Sequence, residues 1–250
     1  MANDLPTLVI VPGSFGPVSL YADFADTLLR HGVKSKIVDT PSVGRRPGLA
    51  PGTMSDDVDE IVRVVAPLLD QGLQVVLLTH SYGGIPGTQS LEKLSRKARE
   101  AQGKQGGVEK IVYLSSVVLQ VGVCNLDLFG PNLPTFVTLE DDYMHLDAEA
   151  SAPLTFSDLP PEEALRLAKQ MPDHSTSSFR EKLTYAGYND VDVYYIVCEE
   201  DKIIPPEGQQ GMIQFLKSTG KDVGVFSMKC GHCPVSSQPE NLSKIITDIL

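Results

Sequence analysis

Cysteine is scarce in this chain: four residues, Cys124, Cys198, Cys230 and Cys233, in 250. That is no disulfide framework, which short secreted domains need and a chain of this length does not. Long apolar runs are missing as well. The longest, around Leu73 to Leu78, is strand-sized against the ~20 residues of a membrane span. Basic charge is short: 21 Lys and Arg stand against 32 Asp and Glu, a formal charge of −11. Such a surface repels phosphate backbones and anionic lipid, so neither nucleic acid nor a membrane is an expected partner. Met1-Ala2-Asn3-Asp4 puts no basic region before the first apolar stretch, so no signal peptide is expected and the protein reads as soluble and cytoplasmic. Repeats, low-complexity tracts and long linkers are absent too.

The remainder is ordinary globular composition, 42% hydrophobic and 21% charged. A chain of this size buries roughly three-quarters of its unfolded surface, which needs no metal or disulfide staple. It reads as a single domain over residues 1–250 with an inserted lid at about 120–188.

Short aliphatic runs alternate with helical stretches. Leu8–Val11, Lys36–Val38, Val75–Leu78, Ile111–Leu114, Val193–Val197 and Val223–Phe226 are apolar on both faces, as strands covered by helices on both sides are. The clearest helix runs from Ser55 to about Leu69, with Ser55 as cap and Val58, Ile61, Val62, Val65, Leu68 and Leu69 as its stripe. Tyr21–Arg30, Pro206–Lys217 and Glu240–Leu250 are further helices, and Arg96–Gly107 reads as a solvated turn. The alternation predicts an α/β fold with a mostly parallel sheet of about six strands. Val117–Asp190 is too long for one crossover; it holds apolar segments and a helix beginning after Pro160-Pro161 and running through Glu162 to Gln170. Such an insertion sits over the C-terminal strand ends, where ligands bind.

The most informative stretch is Val75-Val76-Leu77-Leu78-Thr79-His80-Ser81-Tyr82-Gly83-Gly84. A buried strand runs into a turn with small residues two before and two after a serine, a near match to G-x-S-x-G with Thr79 in the first small position. The sharp reversal holds Ser81 in a strained conformation, and the following helix brings free N–H groups beside its oxygen. Pro86 predicts an irregular first helical turn.

Ser81 needs a base, and of five histidines His232 is best placed, after the last strand-like run and before the final helix. His80 adjoins the serine, but neighbours on a tight turn are expected to point apart. His31 reads as solvated, and His145 and His174 fall in the lid, where a solvated or structural role outweighs a ligand role. The acid belongs just past Val193–Val197. Asp201 is the choice, with Glu199 and Glu200 as rivals, because Ser115-Ser116-Val117 offers no carboxylate at the other usual strand end. The backbone N–H groups of Ser14, in Val11-Pro12-Gly13-Ser14-Phe15-Gly16, and of Tyr82 are the natural oxyanion pair.

These pieces follow the order oxyanion loop, Ser, Asp, His, each after its own strand. The chain resembles a small lidded α/β-hydrolase, similar to plant methylesterases and hydroxynitrile lyases and to their fungal relatives. Val11–Ser14, Thr79–Gly84, Cys198–Pro205 and Gly231–Glu240 carry the resemblance, with Asp158–Pro161 and Thr184–Tyr188 in the lid. It implies a Ser81-Asp201-His232 triad, Ser14 and Tyr82 as oxyanion donors, no cofactor and no metal. Pro12-Gly13 replaces the usual His-Gly and Thr79 replaces a glycine, but neither change removes a backbone donor. The expected activity is hydrolysis of a carboxylic ester, lactone or thioester of a small, largely apolar substrate. A homodimer is the assembly considered.

Candidate pocket residues are Phe15, His80, Val117, Phe129, Phe156 and Tyr185, with Val118, Leu119 and Phe179 beside them. The second reading is a lyase, dehydratase or cyclase using the same Ser and His, marked by a lysine facing Ser81, with Lys169, Lys182 and Lys202 as the lysines at hand. The third is a ligand receptor with a slow or vestigial triad. Cys230-Gly231-His232-Cys233 looks like a disulfide-isomerase motif, but the 17 residues after it cannot complete a thioredoxin fold. A zinc site lacks a second ligand pair. A dinucleotide fold lacks its third glycine after Gly13 and Gly16, and no Tyr-x-x-x-Lys follows Ser115-Ser116.

Overall fold

The computed structural model describes residues 5–129 and 133–250. Along the chain its strands are β1 (Thr7–Val11), β2 (Ser35–Ile37), β3 (Val75–His80), β4 (Lys110–Leu114), β5 (Val137–Glu140), β6 (Tyr143–Leu146), β7 (His174–Ser175), β8 (Asp192–Cys198) and β9 (Val223–Met228). Its helices are α1 (Ala22–Arg30), α2 (Met54–Asp70), α3 (Gly84–Leu94), α4 (Arg96–Glu100), α5 (Ala148–Thr155), α6 (Pro161–Ala168), α7 (Thr176–Arg180), α8 (Pro206–Ser218), α9 (Pro234–Ser237) and α10 (Pro239–Ile249).

The six predicted runs form one parallel sheet in the order β2-β1-β3-β4-β8-β9. Strand alternation sends successive side chains to opposite faces. Val9, Val11, Leu77, Ile111, Tyr113, Val193 and Tyr195 pack with α2, α3 and α8. Leu8, Ile10, Val76, Leu78, Val112, Leu114 and Ile196 pack with α1 and α10 on the other face. Both faces of the inner strands β1, β3, β4 and β8 are covered, which is why they read as apolar on both sides.

Two local expectations are corrected. α2 is capped by Thr53 rather than Ser55: Thr53 Oγ1 accepts from Asp56 N–H (3.1 Å) and Asp56 Oδ2 accepts from Thr53 N–H (2.8 Å). The Ser55 N–H is held instead by the Glu181 carboxylate at 2.7 Å. Arg96–Gly107 is not all solvated turn. Ser95 caps α4, and Arg99 is buried because its guanidinium is satisfied by Gly106 O, Gln105 O and Asp70 Oδ1.

The segment between β4 and β8 carries a feature the sequence pattern did not announce, an antiparallel sheet β5-β6-β7. Its strands are two to four residues long, too short to show a period. The helix after Pro160 is α6, shorter at its end than predicted. This segment is clipped to the loop after β2: Gly44 N–H donates to Asp173 O (2.8 Å), Ser175 N–H to Ser42 O (2.8 Å), and Arg45 pairs with Asp173 (2.5 Å). Among the described residues no helix is long and apolar enough to cross a membrane.

Candidate active site

β3 delivers Ser81 at the C-terminal edge of the sheet. The chain passes from β3 through a single 3₁₀ turn, Ser81–Gly83, into α3, and Ser81 sits at φ +52°. For a residue with a Cβ that conformation costs on the order of 1–3 kcal/mol and persists only where neighbours enforce it. Here Ser81 O accepts from Ser116 Oγ–H (2.8 Å) and Val117 N–H (2.9 Å). Close approach makes the glycines obligatory. A Cβ on Gly83 would lie 2.5 Å from Pro12 O and Val11 O, and one on Gly84 2.1 Å from Val117 O.

Thr79, the unusual member of the pentapeptide, is accommodated one helical turn on. A Cβ on Gly87 would meet Thr79 Cγ2 at 2.4 Å. Gly87→Ala is therefore expected to destabilise the fold by about 1–3 kcal/mol through overpacking. In a Thr79→Ser background, which deletes that methyl and keeps the hydroxyl bonded near Ser116 (3.2 Å), the same change should become neutral or stabilising by about 0.5–1 kcal/mol, the ordinary helix preference. Thermal unfolding of the four proteins checks the reversal of sign.

Asp201 lies in the loop after β8 and His232 in the loop after β9, both buried, with Asp201 Oδ2 2.7 Å from His232 Nδ1. The same carboxylate oxygen accepts from Ser115 Oγ–H, and Oδ1 accepts from the N–H groups of Ile203 (2.7 Å) and Ile204 (3.0 Å). Burial pushes the Asp201 pKa up. The facing His232 charge and the hydrogen bonds from His232, Ser115 and Ile204 outweigh it and leave the carboxyl below its usual range. Glu199 and Glu200 are exposed, and among the described residues the Glu200 carboxylate reaches only Lys229, at 3.8 Å. Ser115, at φ +38°, carries no acid but donates to one. Sequence order alone does not mark it, because it has no carboxylate of its own.

The Tyr82 N–H opens the turn after Ser81, and its side chain runs the other way, donating from Oη to Asp57 Oδ2 (2.8 Å). Asp57 also accepts from Ser42 N–H (2.9 Å). Burial pushes the Asp57 pKa up to about 6 against the pull of those bonds. Asp57, in the first turn of α2, is thus a buried tie between that helix, the loop after β2 and the serine turn.

Ser81 and His232 open onto one cavity with about 660 Å³ of empty space, its mouth included. Gly13, Ser14, Phe15 and Gly16 share its wall with Leu20, Leu133, Pro134, Phe136, Val137, Met144, Leu146, Thr155, Met171 and Ile203. Tyr21, His80 and Cys233 also line it. No lysine, arginine, aspartate or glutamate is among these described lining residues. Of the predicted pocket residues, Phe15 and His80 are on the wall. His80 does not point away from the site, its ring lying 4.8 Å from that of His232.

Val117, Phe156 and Tyr185 are not on that wall. Val117 is core and its N–H holds the serine turn. Phe156 is buried in the other core layer. Tyr185 is tied to Gln89 through its N–H and to Asp190 through its hydroxyl. Val118, Leu119 and Phe179 are core residues, and the side chain of Phe129 lies outside the described residues. Lys169, Lys182 and Lys202 do not line this cavity; Lys202 borders a separate groove between α5 and α6. Cys230 and Cys233 are buried free thiols beside His232.

A parallel six-stranded sheet with a strained serine after β3 and a hydrogen-bonded Asp–His pair after β8 and β9 defines the class. The chain belongs to the α/β-hydrolase family, whose model matches residues 8–245. It is 38% identical over 246 residues to a "probable hydrolase R7" of a Phoma species, covering 98% of both chains. It is 25% identical over 270 residues to a putative chloroplastic methylesterase of Arabidopsis thaliana, covering 99% of this chain and 65% of that one. Among solved structures, polyneuridine aldehyde esterase superposes with a TM-score of 0.74 at 23% identity, covering 98% of each chain. At that identity the likeness speaks to the fold.

Proposed function

We propose that this protein is a serine-dependent carboxylic-ester hydrolase acting on small, uncharged, largely apolar substrates. The observation that carries the reading is the Asp201–His232 bond at 2.7 Å, with His232 sharing one cavity wall with the strained Ser81. In this reading His232 takes the Ser81 proton as the oxygen attacks the ester carbonyl, and Asp201 holds the imidazole with Nε2 free to receive it. The N–H groups of Ser14 and Tyr82 carry the oxyanion; the alcohol leaves, and water releases the acid. The segment between β4 and β8, which supplies Leu133, Phe136, Met144 and Met171 to the wall, serves as the lid. A wall without a lysine favours ester hydrolysis over a lyase reaction that must stabilise a leaving anion.

The test is a panel of short p-nitrophenyl and methyl esters. Neutral acyl groups should be turned over. Acyl groups bearing a free carboxylate should lose at least about tenfold in kcat/KM, because nothing on the wall offsets their desolvation. Absence of turnover of every neutral ester would overturn the proposal.

A further inference from the structure

The loop after β1 lines the cavity with four consecutive residues, Gly13 to Gly16, and buried backbone donors require acceptors. Gly13 N–H donates to Tyr21 Oη (2.8 Å), Phe15 N–H faces His174 Nδ1 (3.4 Å), and Gly16 N–H closes onto Gly13 O (3.2 Å). Among the described residues Ser14 N–H alone of the four has no acceptor.

Two histidines stand behind those acceptors, each in one tautomer. His80 Nε2 lies 2.8 Å from the carbonyl oxygen of His232, and a carbonyl only accepts, so Nε2 carries the proton. His80 Nδ1 is then bare and accepts from Tyr21 Oη–H (2.8 Å), which turns the tyrosine lone pairs toward Gly13 N–H. The result is a one-way chain linking the loop after β1, the last residue of β3 and the loop after β9. On the other side, Ser178 Oγ–H donates to Ser175 O (2.8 Å), so Ser178 Oγ accepts from His174 Nε2–H (2.9 Å). The bare Nδ1 of His174 therefore faces Phe15, whose backbone is left-handed at φ +59° and whose ring lies 5.3 Å from the imidazole. Burial holds both imidazoles neutral, with pKa values lowered to about 3; the charge of His232 adds to the effect on His80. A cationic ring would set a donor against Tyr21 or Phe15.

We propose that His80, acting through Tyr21, and His174 are positioning residues that hold the oxyanion loop from its two sides. They occupy the amides of Gly13 and Phe15, so that Ser14 N–H is left to meet the developing oxyanion. This rests on the hydrolase reading above and gives roles to Tyr21 and His174, which lie outside the serine motif and the triad, and to His80, whose place in the motif any residue may fill. Because His174 belongs to β7, the inserted segment takes part in forming the oxyanion site as well as covering it.

Tyr21→Phe and Ser178→Ala each delete one oxygen and test the two sides. The readouts are hydrolysis of a neutral p-nitrophenyl ester and inhibition by a matched pair of ketones. A trifluoromethyl ketone forms a hemiketal oxyanion with the serine; the plain methyl ketone samples only the pocket. Tyr21→Phe should lower kcat about 10- to 100-fold, part of the loss known for removal of a whole oxyanion donor. It should weaken the trifluoromethyl ketone by the same factor and leave KM and the methyl ketone within about threefold. Ser178→Ala, acting through the longer contact to Phe15, should give a smaller loss with the same signature. His80→Gln, which keeps a donor for the His232 carbonyl, should retain more kcat than His80→Leu. Unchanged kcat and trifluoromethyl ketone affinity in both one-oxygen variants would overturn the inference, as would a common weakening of KM and both ketones. An inactive Ser81→Ala beside unaffected Tyr21→Phe removes this inference alone. An active Ser81→Ala removes the hydrolase reading beneath it.

Discussion

Ser81→Ala is expected to lower kcat by about a millionfold, the loss seen when a nucleophile that works as a unit with its base is removed. The size follows from what the position does. The fold holds Ser81 at φ +52° by spending two hydrogen bonds, from Ser116 and Val117, on its carbonyl and by keeping glycine at 83 and 84. Those devices act on the backbone and survive the substitution. The stability change should therefore stay within about 1 kcal/mol, as for a mutation that opens no large cavity and strands no buried partner. Steady-state turnover of a neutral p-nitrophenyl ester, with thermal unfolding alongside, measures both. Turnover within about tenfold of wild type would remove Ser81 from the mechanism.

Asp201→Asn should cost about ten-thousandfold in kcat, while Glu199→Gln and Glu200→Gln stay close to wild type. The hydrogen bonds decide the outcome. Oδ1 of Asp201 accepts from the Ile203 and Ile204 amides, so an asparagine will place its carbonyl oxygen there. Its NH₂ group then faces His232 Nδ1 and the Ser115 hydroxyl, which both donate in the native site. The imidazole answers by moving its proton to Nε2 and can no longer accept one from Ser81. Glu199 and Glu200 are exposed and hold no such place. Turnover of the three variants on one ester gives the comparison, and equal losses in all three would remove Asp201 as the orienting acid.

Much of this molecule is legible in its sequence. The six strand runs, the parallel sheet and the turn at Ser81 were read from doubly apolar strands and small residues flanking a serine, and the fold places them there. What escaped the sequence had a common physical cause. β5, β6 and β7 are too short for a period, and they exist because they pair with each other. Thr53 caps α2 because the helix starts one residue before Ser55, a boundary set by the loop that Asp57 ties to Ser42 and Tyr82. Val117, Phe156 and Tyr185 are apolar or aromatic near the inserted segment, yet composition cannot tell a cavity wall from core.

Order along the chain determined the four pieces of the proposed site: a glycine-containing loop, a serine, an acid and a histidine, each following its own strand, because a parallel sheet collects such loops at one edge. Tertiary structure sets Asp201 apart from Glu199 and Glu200 by burial and by donors from three separate segments: Ser115, the Ile203-Ile204 amides and His232. It also turned Tyr21, His80 and His174, a helix neighbour, a residue beside the serine and a histidine in the inserted segment, toward one loop. No spacing in the sequence encodes that, since their partners lie 8, 152 and 159 residues away and meet only when the sheet and its insertion have closed.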